Sequence, residues 1–441
     1  MKAIYKLPVA AAAALLPVSV YAEGGIADWW QPYSVLNSGD TAWVMTAAVL
    51  VLFMTVPGLA LFYGGMVRKK NILSTMMHSF SVAALVSLLW VAVGYSLAFA
   101  PGSAFIGGFD RLFLSGVGVD PAREMLTVAP NAGTVPESVF VFFQMTFAVI
   151  STAIISGAFA ERMKFSAMML FSGLWFLLVY VPVCHWVWGG GFMGEGGVLD
   201  YAGGTVVHIN AGVAGLVACI MLGKRVGYGK EAMPPHNMAL TLTGAAMLWV
   251  GWFGFNAGSA VAADASAGMA MLVTQVAAAA GALAWPLCEK LAGHRPSALG
   301  LASGAVAGLV GITPAAGFVD PQAALIIGLL TSAGCYIGVT VIKRKLGYDD
   351  SLDAFGIHGF GGMIGAILTG ILFNNTVFGG EAVIGSQVLI QLKDVVITTF
   401  YSGIISAILL FVIAKVCGGL RVDQDTEREG LDINIHGERV E

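Results

Sequence analysis

Eleven long apolar runs constrain this chain more than any other feature. They cover residues 41–66, 72–99, 137–160, 166–187, 204–223, 238–258, 267–289, 298–315, 322–342, 354–373 and 388–416. The hydrocarbon core of a bilayer is about 30 Å thick and takes about 20 apolar residues of helix to cross. Only a helix or a closed barrel satisfies its own backbone there. The reading is an all-α polytopic membrane protein with eleven transmembrane helices. Charged residues make up 11% of the chain and hydrophobic residues 57%. Soluble domains carry roughly a quarter charged residues. This balance excludes a soluble enzyme, a nucleic-acid binder and a disordered scaffold.

The two ends differ from the middle. Residues 1–22 read as a signal peptide, with Lys2 and Lys6 ahead of an apolar stretch and small residues at Val20-Tyr21-Ala22. Cleavage after Ala22 leaves residues 23–416 as the spanning domain. Residues 417–441 hold ten charged side chains and form a water-exposed tail. An odd number of spans puts the ends on opposite sides. If the tail is cytoplasmic, seventeen of the twenty basic residues after position 22 lie inside, and only Arg111, Arg123 and Lys393 lie outside. The positive-inside rule therefore sets the mature N-terminus outside and the C-terminus in the cytoplasm.

Glycine spacing carries packing information. Gly300, Gly304, Gly308 and Gly311 share one helix face and permit a close crossing. His208 is followed by Gly212 and Gly215, and His358 by Gly362 and Gly365, at identical offsets. These segments fall in the fifth and tenth spans, which run in opposite directions. That is the pattern of a five-plus-five inverted repeat with one extra C-terminal helix and a site where the halves meet. An ionisable residue at membrane depth is costly and marks function, so His208 and His358 are the candidate site. His78 and His185 lack such symmetry and read as structural. Asp200, eight residues before His208, reads either as a helix-start carboxylate or as one favouring a nearby cation.

A metal would need about three converging ligands, and neither Asp200 nor Asp353 stands at a ligand spacing from its histidine, so no metal and no cofactor is expected. The five cysteines form no CxxC pair and read as small apolar residues. Aromatic residues crowd the outer span ends at Trp186, Trp188, Trp252, Phe253 and Phe255. They read as an interfacial belt or, more sharply, as a cation–π cage.

The strings PGLALFYGG, AERMKFSA, DYAGGTVVHINAG, GKRVG, GWFGFNAGS, GLVGITPAAG, DAFGIHG and EREGLD stand in this order from about Ala42 onward. With them the mature chain resembles the ammonium transporters of the Amt/Mep/Rh superfamily, on the bacterial Amt branch. The resemblance implies a homotrimer in the cytoplasmic membrane with one pore per subunit. It implies an outer recruitment site for ammonium or methylammonium at Phe147, Trp188 and Ser259, and a gate of stacked rings at Phe147 and Phe255. It implies a twin-histidine pair at His208 and His358 and a carboxylate needed for conduction at Asp200. Trp252 and Thr313 match further pore-lining positions. It also implies regulation by a PII signal-transduction protein at the cytoplasmic face, with Arg68 to Lys70 and Lys343 to Lys345 nearby.

Two other functions are compatible with the composition. A sensor would usually carry a fused signalling domain, for which the 25-residue tail leaves little room. A His-metal membrane enzyme lacks the extra ligands. One tension stands in this reading. The apolar boundaries put the two histidines near opposite membrane faces, about 15 Å apart along the normal. The resemblance puts them in contact, which requires their helices to begin deeper or to bend.

Overall fold

The computed structural model describes residues 29–440; the expected signal segment, 1–22, lies outside the described residues. The apolar runs wind into helices α1 (Ser38–Met66), α2 (Lys69–Phe99), α3 (Glu137–Phe159), α4 (Phe165–Glu195), α5 (Gly204–Leu222), α6 (Met238–Gly258) and α7 (Ala265–Leu291). They continue as α8 (Ala298–Ile312), α9 (Pro321–Leu346), α10 (Phe355–Leu372) and α11 (Ile384–Val416). Ten of these are long and apolar enough to cross a membrane. The run expected as a span over 298–315 is the exception: α8 has 15 residues and is extended by a turn over 313–318. Polar residues start the helices where the sequence changes character. Asn37, Asn237, Asp264, Ser297 and Asp320 each accept a hydrogen bond from the first turn that follows.

The connections gather at two ends. At one end, Glu161 takes Arg68 and Arg225, Arg225 takes Asp349, and Lys164 reaches Cys417 and Gly418. This is the tail end. At the other, Ala263 donates to Asp40, Asn131 to the carbonyl of Trp188, and Tyr201 to the carbonyl of Pro314. The second end also carries a small antiparallel sheet of β1 (Trp30–Pro32), β2 (Val119–Asp120) and β3 (Met125–Thr127), in the order β1-β3-β2. Beneath it Arg111 is buried against Glu137 and lies over the Trp29 ring.

The glycine stripe of α8 does what its spacing predicts. A Cβ on Gly304 would lie 2.4 Å from the carbonyl oxygen of Gly281, and one on Gly308 2.2 Å from that of Ala277. Backbones of α7 and α8 therefore touch directly. The tail is folded rather than simply solvated. It runs back along the loops: Lys164 N donates to Leu420 O and Val422 N to Arg162 O. A short helix α12 (Gln424–Glu429) follows. Beyond it, Asp432 accepts the N–H groups of Leu73 and Ser74 at 3.0 and 2.8 Å, the start of α2, whose free donors and positive dipole end suit a carboxylate.

Candidate functional site

The matched histidine segments meet at the centre of the bundle. Helices α5 and α10 start at Gly204 and Phe355, close to the boundaries read from the sequence. What the sequence reading did not capture is their surroundings: Asp200, Gly203 and Gly204 are buried inside the protein. Each helix opens with a widened π turn, Gly204–Ile209 and Phe355–Gly359, and each histidine sits in that turn. The +4 glycines form the crossing. A Cβ on Gly212 would lie 2.2 Å from Gly359 N, and one on Gly362 3.2 Å from the His208 Cβ. The rings of His208 and His358 consequently stack at 5.2 Å, with their Nδ1 atoms 3.2 Å apart.

That contact fixes the pair's hydrogen-bonding logic. Of two neutral imidazoles sharing an Nδ1···Nδ1 hydrogen bond, one donates and one accepts. The donor ring then carries a bare Nε2, and the acceptor ring an Nε2–H. Nε2 of His208 is buried with no partner. A small cavity of about 10 Å³ opens there, lined by Met54, Leu59, Ile154, Leu248, Trp252 and the two histidines among others. Trp252 stacks on His208 at 5.4 Å and donates to Thr313 Oγ1 at 2.9 Å. Thr313 in turn donates to Leu309 O, so both further pore-lining candidates belong to the wall that holds the ring.

Toward the end opposite the tail, Phe255 stacks on His208 at 6.0 Å and Phe147 stacks on Phe255 at 4.2 Å. Both phenyl rings are buried. Beyond them lies a pocket of about 290 Å³, lined by Phe147, Trp188, Ser259, Gln144, Tyr201 and Asn131 among others. Trp188 stands edge-on to Phe147 at 5.8 Å, and its ring is pinned by Nε1 donating to Asp200 O at 2.8 Å. Ser259 donates its hydroxyl hydrogen to Phe255 O at 2.9 Å. Its lone pairs remain to accept from a guest. All three recruitment candidates, Phe147, Trp188 and Ser259, thus share one pocket, and Phe147 is at the same time one ring of the stacked pair.

Asp200 is one step removed. Its carboxylate accepts four backbone N–H groups, from Gly203, Gly204, Thr205 and Val206, at 2.6 to 3.1 Å. It anchors the turn that carries His208 and touches the pocket only through its own carbonyl and Trp188. The helix-start reading of this residue describes the geometry. His78 packs between Phe159 and Phe165, and His185 bridges the carbonyls of Ala98 and Ser103; neither joins the pair.

Three residues escaped the sequence reading. Asp350 accepts the N–H groups of Ala354 and Phe355 and anchors α10 as Asp200 anchors α5. It stands eight residues before His358, the offset of Asp200 from His208; that equality was the available signal, and the nearer Asp353 hid it. Asp353 instead pairs with Lys343. Asp394 of α11 accepts from the Thr205 hydroxyl, and its other oxygen is buried without a partner. Gln144, one turn before Phe147, lines the same pocket as Trp188 and Ser259, with its amide oxygen likewise unpartnered.

Among known proteins, the chain matches the Ammonium Transporter Family over residues 42–441. It is 52% identical over 411 residues to an ammonium transporter of Bacillus subtilis strain 168, spanning 92% of this chain and 99% of that one. It is 48% identical over 409 residues to an ammonium transporter of Aquifex aeolicus strain VF5, spanning 92% and 94%. The crystal structure of Saccharomyces cerevisiae Mep2 superposes with a TM-score of 0.81 at 35% identity, covering 89% of each chain. By sequence over nearly its whole length and by fold, the chain belongs to the ammonium transporter family, whose members are transporters rather than enzymes.

Proposed function

We propose that this chain recruits ammonium in the pocket of Phe147, Trp188 and Ser259, strips a proton from it, and conducts ammonia past His208 and His358. The single observation that carries this reading is the histidine pair, hydrogen-bonded to each other at the end of a ring-closed apolar passage. In the outer pocket the Trp188 face and the lone pairs of Ser259 suit a cation rich in N–H donors. Past the gate the lining is apolar, and a bare cation there loses its hydration without replacement. Desolvation favours the neutral form of an amine, so ammonium can pass by shedding a proton, whereas potassium has no proton to shed. At the histidines, ammonia can both donate to the bare Nε2 and accept from the protonated one.

The same reading takes the tail end as cytoplasmic, because seventeen of the twenty basic residues after position 22 lie there. It takes residues 1–22 as a removed signal peptide, 23–416 as the transport domain and 417–441 as a cytoplasmic tail. It takes the working form as a homotrimer and a PII protein as a cytoplasmic partner. Arg68, Lys70 and Lys343 are already committed to Glu161, the Arg428 carbonyl and Asp353, so Lys69, Arg344 and Lys345 are the basic side chains left for such a partner. The test is uptake of labelled methylammonium into cells lacking other ammonium carriers. Wild-type protein should restore saturable uptake and His208→Ala should not restore selective uptake. Full, selective transport by a correctly inserted His208→Ala protein would overturn the relay.

A further inference from the structure

Four buried side chains on α11 follow one stretch of the chain. Gln387, Gln391, Asp394 and Ser402 lie on one face of that helix at helical spacing, although polar residues at membrane depth are costly. Gln387 donates to Gly197 O at 2.9 Å. Gln391 accepts from Leu199 N and donates to Leu199 O, both at 2.9 Å. Asp394 accepts the Thr205 hydroxyl hydrogen, and Ser402 donates to Asn210 O at 2.8 Å. The stretch they follow, 197–210, carries Asp200 and His208. Asp200 shapes the turn but belongs to the same stretch, so its carboxylate ties the turn to itself and not to a neighbouring helix. Gly203, at a φ of 110°, redirects the chain just before the turn. The turn's place in the bundle therefore depends on what its side chains grip.

The other histidine turn is held differently. The two histidines are 150 residues apart, and at that offset Thr205 corresponds to Phe355, which has no hydroxyl to offer. Among the described residues no side chain of α11 hydrogen-bonds to the Phe355–Gly359 turn, and Cys335 Sγ lies 3.7 Å from Ile357 O. The eleventh helix, outside the five-plus-five repeat, thus grips one turn of the pair. Stability alone does not account for Asp394, whose second oxygen is buried without a partner, an arrangement that costs free energy. We infer that α11 braces the His208 segment and that Asp394, acting through Thr205, is a positioning residue for transport, holding His208 at its contact with His358. This rests on the transport reading above.

Methylammonium uptake by paired variants separates position from stability. Thr205→Val with Asp394→Leu replaces both partners by apolar groups of similar shape, an exchange that is nearly neutral or stabilising. The double variant should insert, and the extracted protein should melt no lower than wild type. Its maximal uptake, in cells lacking other ammonium carriers, should fall at least about tenfold, since a displacement of about 1 Å at a reacting centre can cost about 100-fold. The half-saturating concentration should stay unchanged, because neither residue lines the Trp188 pocket. Asp394→Asn keeps an oxygen that accepts the Thr205 hydrogen and should transport like wild type. Wild-type uptake by the double variant, beside inactive His208→Ala, would overturn the inference. So would a double variant that melts well below wild type, which would make the pair merely structural. An Asp394→Asn protein as slow as the double variant would also overturn it, placing the role in the carboxyl proton. Normal selective uptake by His208→Ala would defeat the transport reading itself, and the inference with it.

Discussion

Substituting Gly212 by alanine perturbs the histidine pair without touching either ring. The added Cβ would stand 2.2 Å from Gly359 N and 2.3 Å from Gly359 Cα. Both are backbone atoms, so no flexible side chain can yield. Ordinary contact begins near 3.4 Å, and the two helices must separate locally by about 1.2 Å. His208 lies four residues before Gly212 and His358 is adjacent to Gly359, so the rings move with the crossing. Their Nδ1 atoms start 3.2 Å apart, at the outer edge of hydrogen-bond range, and half of that separation breaks the bond. Overpacking of this kind costs about 1–3 kcal/mol, which lowers stability without preventing folding. Function is more sensitive, since a displacement of about 1 Å at a reacting centre can cost about 100-fold. Labelled methylammonium uptake, normalised to protein in the membrane, should fall at least about tenfold. Gly403→Ala is the packing control, because its Cβ would meet Val213 at an ordinary 3.5 Å, and it should transport normally. Uptake by the Gly212→Ala protein at the wild-type level, with unchanged preference over potassium, would refute the claim that ring contact is what the paired glycines secure.

Further outcomes follow from the same geometry. Trp188→Leu removes a cation–π face worth about 0.5–2 kcal/mol and should raise the methylammonium concentration for half-maximal uptake by about 2- to 30-fold, read from concentration dependence. Gln144→Leu removes a buried, unpartnered acceptor whose burial costs about 1–3 kcal/mol; it should raise the melting temperature yet weaken competition by ammonium, and a protein improved in neither respect and impaired in neither would count against Gln144 facing the guest. Burial raises the carboxyls of Glu161 and Asp349, but Arg225, with Arg68 and Arg162, outweighs it and holds both below the usual range. Stability from depressed carboxyls is present above their unfolded values, near pH 4, and is lost as pH falls through the folded ones. Glu161→Gln should therefore lower the melting temperature at pH 7, breaking a buried pair at a cost of about 3–5 kcal/mol, and flatten the decline below pH 4; parallel melting profiles for the two proteins would contradict this. Deleting residues 421–441 removes Asp432 from the start of α2 and Glu427 from Val226 N, and should lower thermal stability while the protein still inserts, checked by melting of membrane-extracted protein.

Much of this architecture was legible because membrane helices announce themselves by length. Most apolar runs became helices within about four residues of their expected ends, although α4 runs to Glu195 rather than 187, and the equal glycine offsets after His208 and His358 located the crossing. Two kinds of information were missing. Hydropathy marks where a helix starts along the chain but not whether neighbouring helices bury that start, as they do at Asp200, Gly203 and Gly204. Asp200 resolves this physically: four N–H groups on one carboxylate let a helix begin inside the protein without unsatisfied donors. The second gap is the α8 run, where helical composition continues through Thr313 and Pro314 although the helix ends at Ile312. The small three-stranded sheet was also unreadable, since its strands are two or three residues long and carry no period.

The symmetry of the site and the asymmetry of its chemistry arise from the same contact. Two helices running in opposite directions bring equivalent histidines to one point, each anchored by an aspartate eight residues upstream and each admitted by a glycine four residues downstream. Related backbones would make the two rings equivalent, yet a single proton between two Nδ1 atoms cannot be shared equally by neutral imidazoles. One Nε2 must therefore be an acceptor and the other a donor, and moving the shared proton across the Nδ1 contact exchanges the roles. On the proposed mechanism this is what the passage uses. A guest that both donates and accepts hydrogen bonds is matched by either arrangement, while a bare monovalent cation is offered one lone pair and one opposing N–H in place of its water. On the same proposal, the apolar side chains of Phe147, Phe255, Trp252 and Leu248 keep that comparison dry. Its discrimination then rests on what the guest can hydrogen-bond rather than on the guest's radius.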